Sequence, residues 1–313
     1  MKQPPPSSPV RWGVLGAGNV CEKKAGPPLY KLAGSRLVLA HRRNREAGES
    51  FVRRHGHGRY VDNLGEFLAS PEIDAVYVAS PHRLHAEHAI AALRAGKAVM
   101  VEKPMAMTTA DCDEMVSVAN ETGRPLGVAY YRRGYPAVAR LREELEKETI
   151  GPVRSAAINN EFPTSHRLDL VHALFGGIAA VRTMPGKRSS HPFESTLDRF
   201  AVRTGSGIEV TMMTGWMETG MPEAIRLVGE RGVLALHDLK GGELAITVDG
   251  ERRYIACGTL PHTHWGLFAN FNAHLTKGTP LLCDGTEGRK STVLMDALLR
   301  IDKPGEWMPV RYE

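Results

Sequence analysis

The run Arg11 to Leu15 breaks at Gly16-Ala17-Gly18-Asn19-Val20-Cys21, and helix-forming sequence follows. A glycine turn between a strand and a helix lets the backbone reverse tightly and lets an anion approach helix N–H groups. Gly16 serves the turn and Gly18 the close approach of a pyrophosphate. Asn19 and Val20 open the helix and join the candidate cofactor contacts. The third position of the fingerprint holds Cys21 where Gly or Ala is usual, a departure that is still small enough for helix–strand packing.

The same alternation continues to about residue 130. Leu37–Ala40, Ala75–Ala79, Ala98–Val101 and Leu126–Ala129 read as further strands, with helical patterns at His85–Ala95 and Thr109–Thr122. Strands alternating with helices imply a parallel sheet covered on both faces. After Tyr130 the pattern changes. A helix over Pro136–Lys147 leads into successive strands at 199–203, 208–214, 225–228, 233–236 and 244–248, joined by glycine-rich turns. Helices close the chain at 268–275 and 289–300. The expected fold class is α/β. A doubly wound Rossmann domain over 1–129 precedes an α+β domain over 130–313, built on a largely antiparallel sheet. One face of that sheet is expected to be apolar and to need a partner.

The second strand ends Ala40-His41-Arg42-Arg43-Asn44, with no carboxylate before Glu46. A carboxylate here would accept from a ribose 2′-OH, whereas guanidinium groups pair with a 2′-phosphate. His41, Arg42 and Arg43 therefore point to NADP, with NAD as the alternative. Arg53 and Arg54 read as a solvated helix face.

Composition narrows the class further. The chain has 313 residues, room for about two domains and a sizeable core. It is 42% apolar and 24% charged, as globular proteins are. A net charge of +5 is too small to imply nucleic acid, and no basic–aromatic interleaving supports it. No apolar run is long enough for a membrane helix. The opening Met1 to Pro9 has no apolar signal core, so a cytoplasmic location is expected. The four cysteines lie far apart, with no Cys-x-x-Cys pair. His55-Gly56-His57 and His262-Thr263-His264 have no convergent acid or cysteine, so no metal site is expected.

Three further segments are more specific: Ser80-Pro81-His82-Arg83-Leu84-His85, then Gly96-Lys97 through Glu102-Lys103-Pro104, then Val128-Ala129-Tyr130-Tyr131-Arg132-Arg133. Together with the glycine turn they resemble the glucose–fructose oxidoreductase/inositol dehydrogenase (Gfo/Idh/MocA) family, and the resemblance covers nearly the whole chain. It implies an NAD(P)-dependent oxidoreductase that moves a hydride between the nicotinamide and a sugar, polyol or related cyclic alcohol or ketone. Ser80, Pro81 and His85 would line the nicotinamide side. His85 reads equally well as a loop-holding histidine. Glu102 and Lys103 would meet the cofactor, with Lys103 the catalytic lysine and Lys103-Pro104 often cis. Tyr131 and Arg132 would face the substrate. The resemblance also implies that the 130–313 domain binds substrate and that its sheet is open and makes the contacts of a homodimer or homotetramer.

The resemblance thins in the second domain. The family's Asp-x-Gly-x-His pattern aligns with Phe162, Thr164 and His166, so His166 takes the catalytic and substrate-binding histidine position without the acid four residues earlier. His172, inside the apolar helix that follows, reads as core. The span from Gly151 to His166 is short and lacks a glycine-rich stretch. Two explanations stand: a loop truly lost, leaving an altered pocket, or a loop missing from these 313 residues. A non-catalytic NADP-binding sensor or regulatory subunit of the same fold is the competing functional reading.

Overall fold

The strand ahead of the glycine turn, β1 (Val10–Leu15), lies inside a six-stranded sheet. Its companions are β2 (Ser35–His41), β3 (Arg59–Tyr60), β4 (Ala75–Val78), β5 (Ala98–Val101) and β6 (Leu126–Val128), in the order β3-β2-β1-β4-β5-β6. Every pairing is parallel. This is the doubly wound order expected of a dinucleotide fold. The computed structural model describes residues 9–159, 164–185, 199–213 and 224–312.

Helical residues 19–31 include a wide π-helical turn at Cys21–Ala25 and α1 (Gly26–Lys31). Pro27 and Pro28 have no N–H to offer the preceding turn, and the Gly26 N–H reaches back to Cys21 O instead. Then come α2 (Arg45–His55), α3 (Leu64–Ala69), α4 (His85–Arg94) and α5 (Thr109–Thr122). Their limits follow local chemistry. Asn44 Oδ1 accepts from the Ala47 N–H at 2.8 Å and starts α2, and Gly56, at φ 68°, ends it. Thr108 Oγ1 accepts from the Asp111 N–H at 3.1 Å and starts α5, and Gly123, at φ 62°, stops it. β4 and β5 are buried at every residue, as strands covered on both faces must be. Val76, Val78, Val99 and Val101 share one core with Leu93 of α4 and Met115 of α5. Burying each such side chain contributes roughly 1.5–3 kcal/mol before conformational entropy is set against it.

A second sheet has nine strands. After α6 (Pro136–Glu146) come β7 (Val153–Asn159), α7 (Thr164–Phe175), β8 (Ile178–Thr183), β9 (Arg199–Thr204), β10 (Glu209–Met213), β11 (Ala224–Gly229), β12 (Gly232–Leu236), β13 (Glu243–Val248), β14 (Glu251–Ala256) and β15 (Met308–Pro309). The order is β14-β13-β12-β11-β7-β10-β9-β8-β15, antiparallel except where β10 meets β7. Ile158, Phe200, Val202, Val210, Met212 and Leu227 are buried on one side. The opposite side mixes apolar and polar residues. Among the described residues it carries Ser155, Glu209, Thr211 and Arg226 beside Ala157 and Val228, around a shallow groove of about 320 Å³. Arg182 and Arg203 flank the Trp307 ring at 4.5 and 4.2 Å.

The chain closes with α8 (Trp265–Lys277) and α9 (Gly285–Leu299). It divides into two compact units, Met1–Gly134 with Pro261–Thr292, and Tyr135–Leu260 with Val293–Glu313. The sequence grammar changes near residue 130 and assigns everything after it to one domain, whereas 261–292 pack with the first unit. The physical cause is Trp12. Its Nε1–H donates to Asn272 Oδ1 at 3.1 Å, and Phe268 sets its ring edge-on at 5.0 Å. α8 thereby covers β1. No described helix is long and apolar enough to cross a membrane.

Candidate active site

Three loops leave the carboxyl ends of neighbouring strands in the first unit: the glycine turn after β1, Ser80-Pro81 after β4, and Glu102-Lys103-Pro104 after β5. The strand order reverses between β1 and β4, the place where open α/β sheets take ligands.

Gly16 has φ 93°, and a Cβ there would fall 2.5 Å from the Ser80 amide nitrogen. Only glycine allows that turn to lie against the β4 loop. Gly18 is the opposite case, since a Cβ would meet nothing nearer than Gly16 O at 3.7 Å. The space beside it is open, which suits the approach of a pyrophosphate. Asn19 and Val20 are exposed at the helix opening. Cys21 is fully buried, its S–H aimed at Gly16 O at 3.8 Å, and burial pushes the thiol pKa up, so it acts as a small packing group. These residues fit a dinucleotide.

At the end of β2, His41 Nδ1 lies 2.9 Å from Val61 O. Arg42 reaches back over the turn, donating from Nη1 to Ala17 O at 3.0 Å, while Arg43 is exposed. Among the described residues neither arginine has an acidic partner, whereas Arg45 pairs with Glu49 and Asp62. Arg53 and Arg54 are exposed, as their helix face implied.

His85 is fully buried. Its Nδ1 lies 2.8 Å from Pro104 O and its Nε2 2.9 Å from Ser80 O, so the ring ties the β4 loop to the β5 loop. Burial pulls its pKa down to about 4 and outweighs the two carbonyls, which favour the charged ring.

Glu102 is buried and fully engaged. Oε1 accepts from the Tyr77 hydroxyl and from His264 Nε2 at 2.9 Å; Oε2 accepts from the backbone N–H of Lys103 at 3.1 Å. Burial alone would raise its pKa. The hydrogen bond and charge of His264, then Tyr77 and Lys103, override that and bring it to about 2. Lys103 is half-buried, and Lys103-Pro104 is cis, as the resemblance implied. Tyr131 lies over the His264 ring with centroids 4.5 Å apart, and the Arg132 guanidinium lies 5.0 Å from the Tyr131 ring. Both are buried.

The sequence reading did not single out Tyr77 or His264. Tyr77 reads as one more apolar strand residue. His264 carries one usable signal, a histidine directly ahead of an apolar helix, and in the sequence it reads only as half of an i, i+2 histidine pair. Among the described residues no group of three His, Cys, Asp or Glu side chains is placed to hold a metal ion.

In the second unit, His166 lies in the first turns of α7 and is 1% exposed. Phe162, aligned with the missing acid, lies outside the described residues. His172 is buried, with Nδ1 3.0 Å from Gly176 O and Nε2 3.2 Å from the Tyr312 hydroxyl, and so belongs to the core.

Comparison with known proteins agrees with this geometry. A family model described as an oxidoreductase family with an NAD-binding Rossmann fold matches residues 10–130. The chain is 30% identical over 250 residues to an inositol 2-dehydrogenase of Acidothermus cellulolyticus, covering 72% of each protein. It is 36% identical over 151 residues to oxidoreductase P35 of Formosa agariphila, covering 48% of this chain and 47% of that one. The alignments span about half the length of most curated relatives. The crystal structure of an inositol dehydrogenase homologue from Azotobacter vinelandii, with NADH and myo-inositol, superposes with a TM-score of 0.81 over 97% of this chain and 98% of that one, at 19% identity. The glycine turn at the strand-order reversal, the Glu102-Lys103-Pro104 loop beside it and the long match to an inositol 2-dehydrogenase place this chain in the Gfo/Idh/MocA family of oxidoreductases.

Proposed function

We propose that this protein is a nicotinamide-dependent dehydrogenase or reductase acting on a CH–OH group of a sugar, polyol or related cyclic alcohol. The observation that carries the reading is the adjacency of the Gly16 turn, the Ser80 loop and the Lys103 loop at the carboxyl edge of one parallel sheet. The relatives named above for inositol support the substrate class.

Gly16, Gly18, Asn19 and Val20 hold the pyrophosphate through backbone N–H groups, and Ser80 and Pro81 bound the nicotinamide side. When bound, the nicotinamide supplies the site that accepts or donates hydride. Lys103 takes the hydroxyl proton as the hydride leaves the same carbon, so the alcohol becomes a carbonyl; in the reverse direction Lys103 returns the proton. Tyr131 and Arg132 contribute to substrate binding, and His166 is a second proton-handling residue. His85 holds the Ser80 and Lys103-Pro104 loops in register.

NADP is the proposed cofactor rather than NAD. Arg42 and Arg43 supply guanidinium groups where a ribose-binding carboxylate would otherwise stand, and Arg42 already lies across the turn. The Azotobacter vinelandii homologue holds NADH, and the NADP reading is supported by the residues that end the second strand of this chain. A panel of sugars and polyols followed by NADPH absorbance tests the proposal. Reversible turnover of at least one is expected. Tight NADPH binding with no turnover across the panel would make the chain a sensor of the same fold.

A further inference from the structure

β3 is two residues long, and its ladder with β2 ends where the Val61 N–H donates to Ala40 O at 2.9 Å. Two side chains carry the pairing past that point. His41 Nδ1 meets Val61 O at 2.9 Å, and in the other direction the Tyr60 hydroxyl donates to Arg42 O at 2.9 Å. Arg42 and Arg43 stand between the end of β2 and Asn44, the residue that caps α2. Arg42 lies outside both elements, and Tyr60 holds its carbonyl from the neighbouring edge strand.

The Tyr60 ring has a place made for it. Gly48 sits inside α2, where glycine is a poor helix former. A Cβ there would fall 2.3 Å from Tyr60 Cε2, so glycine is what lets the ring lie against the helix. The phenol has one proton and two acceptors, Arg42 O and, at 2.7 Å, Asp62 Oδ1. Burial first, then the bond to Asp62, pushes the phenol up to about 12, so the hydroxyl remains a donor through the neutral range. Asp62 in turn meets Arg45 Nη1 at 3.5 Å. The carboxylate is thus engaged by Tyr60 and Arg45, and among the described residues it makes no ion pair with Arg42 or Arg43. A carboxylate on either of those guanidinium groups would compete with an anionic ligand.

We propose that Tyr60 is a positioning residue for the discrimination of NADP from NAD: it fixes the Arg42 carbonyl and engages the Asp62 carboxylate, so that Arg42 and Arg43 are set to meet a 2′-phosphate. The proposal rests on the reading of Arg42 and Arg43 above. A long arginine side chain loses rotamer freedom when it pairs with a phosphate, and a main chain fixed beforehand lowers that loss. The effect falls on the one phosphate that NADP has and NAD lacks.

The test is fluorescence titration of Tyr60→Phe with NADPH and with NADH. Phenylalanine keeps the ring against Gly48 and removes only the hydroxyl. NADPH should bind about 3–10-fold more weakly, the loss expected of one hydrogen bond, while NADH should change by less than about twofold. A merely structural role of Tyr60 would weaken both cofactors alike, and that result overturns the proposal, as does an unmoved NADPH affinity. Gly48→Ala is a second route, since it keeps the hydroxyl, favours the helix and displaces the ring. It should reproduce the selective loss of NADPH, and it decides the matter if Tyr60→Phe fails to fold; equal loss of both cofactors, or no loss, overturns the proposal there too. Arg42→Ala separates the two levels. No selective loss of NADPH in Arg42→Ala removes the 2′-phosphate reading itself, whereas a selective loss there with none in Tyr60→Phe removes only the role of Tyr60.

Discussion

His264 Nε2 stands 2.9 Å from Glu102 Oε1, both side chains are almost wholly buried, and 162 positions of sequence separate them. The contact joins the strand end that presents Lys103 to the start of α8. Strand β4 adds the Tyr77 hydroxyl to the same carboxylate oxygen. The following expectations come from this cluster and from the glycine turn beside it.

Gly16→Ala should damage both fold and cofactor site. A Cβ at φ 93° is strained, and it would strike the Ser80 backbone at 2.5 Å. The left-handed penalty alone is about 1–2 kcal/mol, and the clash adds to it. A thermal melt should show a clear drop in midpoint, and NADPH fluorescence titration should show at least about tenfold weaker binding, the loss of one good hydrogen bond to the phosphate. Unchanged binding would remove the pyrophosphate from this turn.

Arg42→Ala separates two roles of one side chain. If Arg42 pairs with a 2′-phosphate, NADP affinity should fall about 10–100-fold, the loss expected of a charge-assisted bidentate contact. NAD affinity should change by no more than about threefold, the share attributable to the hydrogen bond with Ala17 O. Equal losses in paired titrations would confine Arg42 to holding the turn.

Lys103→Met should lower turnover by about 10²–10⁴ while leaving NADP affinity nearly unchanged, as expected when a proton-exchanging group is lost. His166→Asn should cost less, because the sequence has Phe162 at the position aligned with the orienting acid. An effect of His166→Asn as large as that of Lys103→Met would mean that another group supplies the missing carboxylate. Steady-state kinetics on the best panel substrate reads both.

Acid should lower the stability of the protein over two pH windows. His85 is pulled down from 6.5 to about 4, mainly by burial. The unfolded chain binds that proton first, so the stability from His85 is present above about pH 6.5 and lost as pH falls toward 4. Glu102 is brought from 4.5 to about 2 against the opposing pull of burial, chiefly by His264. Its contribution is present above about pH 4.5 and lost as pH falls toward 2. Urea unfolding across pH should show both windows. Glu102→Gln should flatten the lower one, and an unaltered slope there would show that the carboxylate is not held as described.

Lys97 offers a structural contrast. Its buried Nζ donates to Ser70 O at 2.6 Å and Ile73 O at 3.0 Å, and burial lowers its pKa. Lys97→Met would strand two buried carbonyls, at about 1–3 kcal/mol each. Equilibrium unfolding should register the loss, and cofactor titration should not.

The parallel sheet, the glycine turn and the Lys103 loop are legible in the chain because each rests on local grammar. A buried parallel strand must be an unbroken apolar run, a turn against a neighbouring backbone must use glycine, and a residue before proline must leave the helix. The strands at 75–78 and 98–101 and the helix at 109–122 therefore stand nearly where the sequence puts them. β7, β8 and β14 are harder to see. β14 is an edge strand whose Arg252 and Arg253 hide the apolar period, and β7 contains the small residues Ser155, Ala156 and Ala157. What no local pattern contains is the return of 261–292 to the first unit, where Asn272 meets Trp12 and His264 meets Glu102. Those contacts depend on which apolar faces find each other across more than a hundred residues. Burial then decides the chemistry, since the same histidine in an exposed loop would carry no fixed partner, and the same glutamate in water would keep an ordinary pKa. Residue order thus determined the strand-end positions of Gly16, Ser80 and Lys103, and tertiary packing alone decided which side chains close around Glu102 behind them.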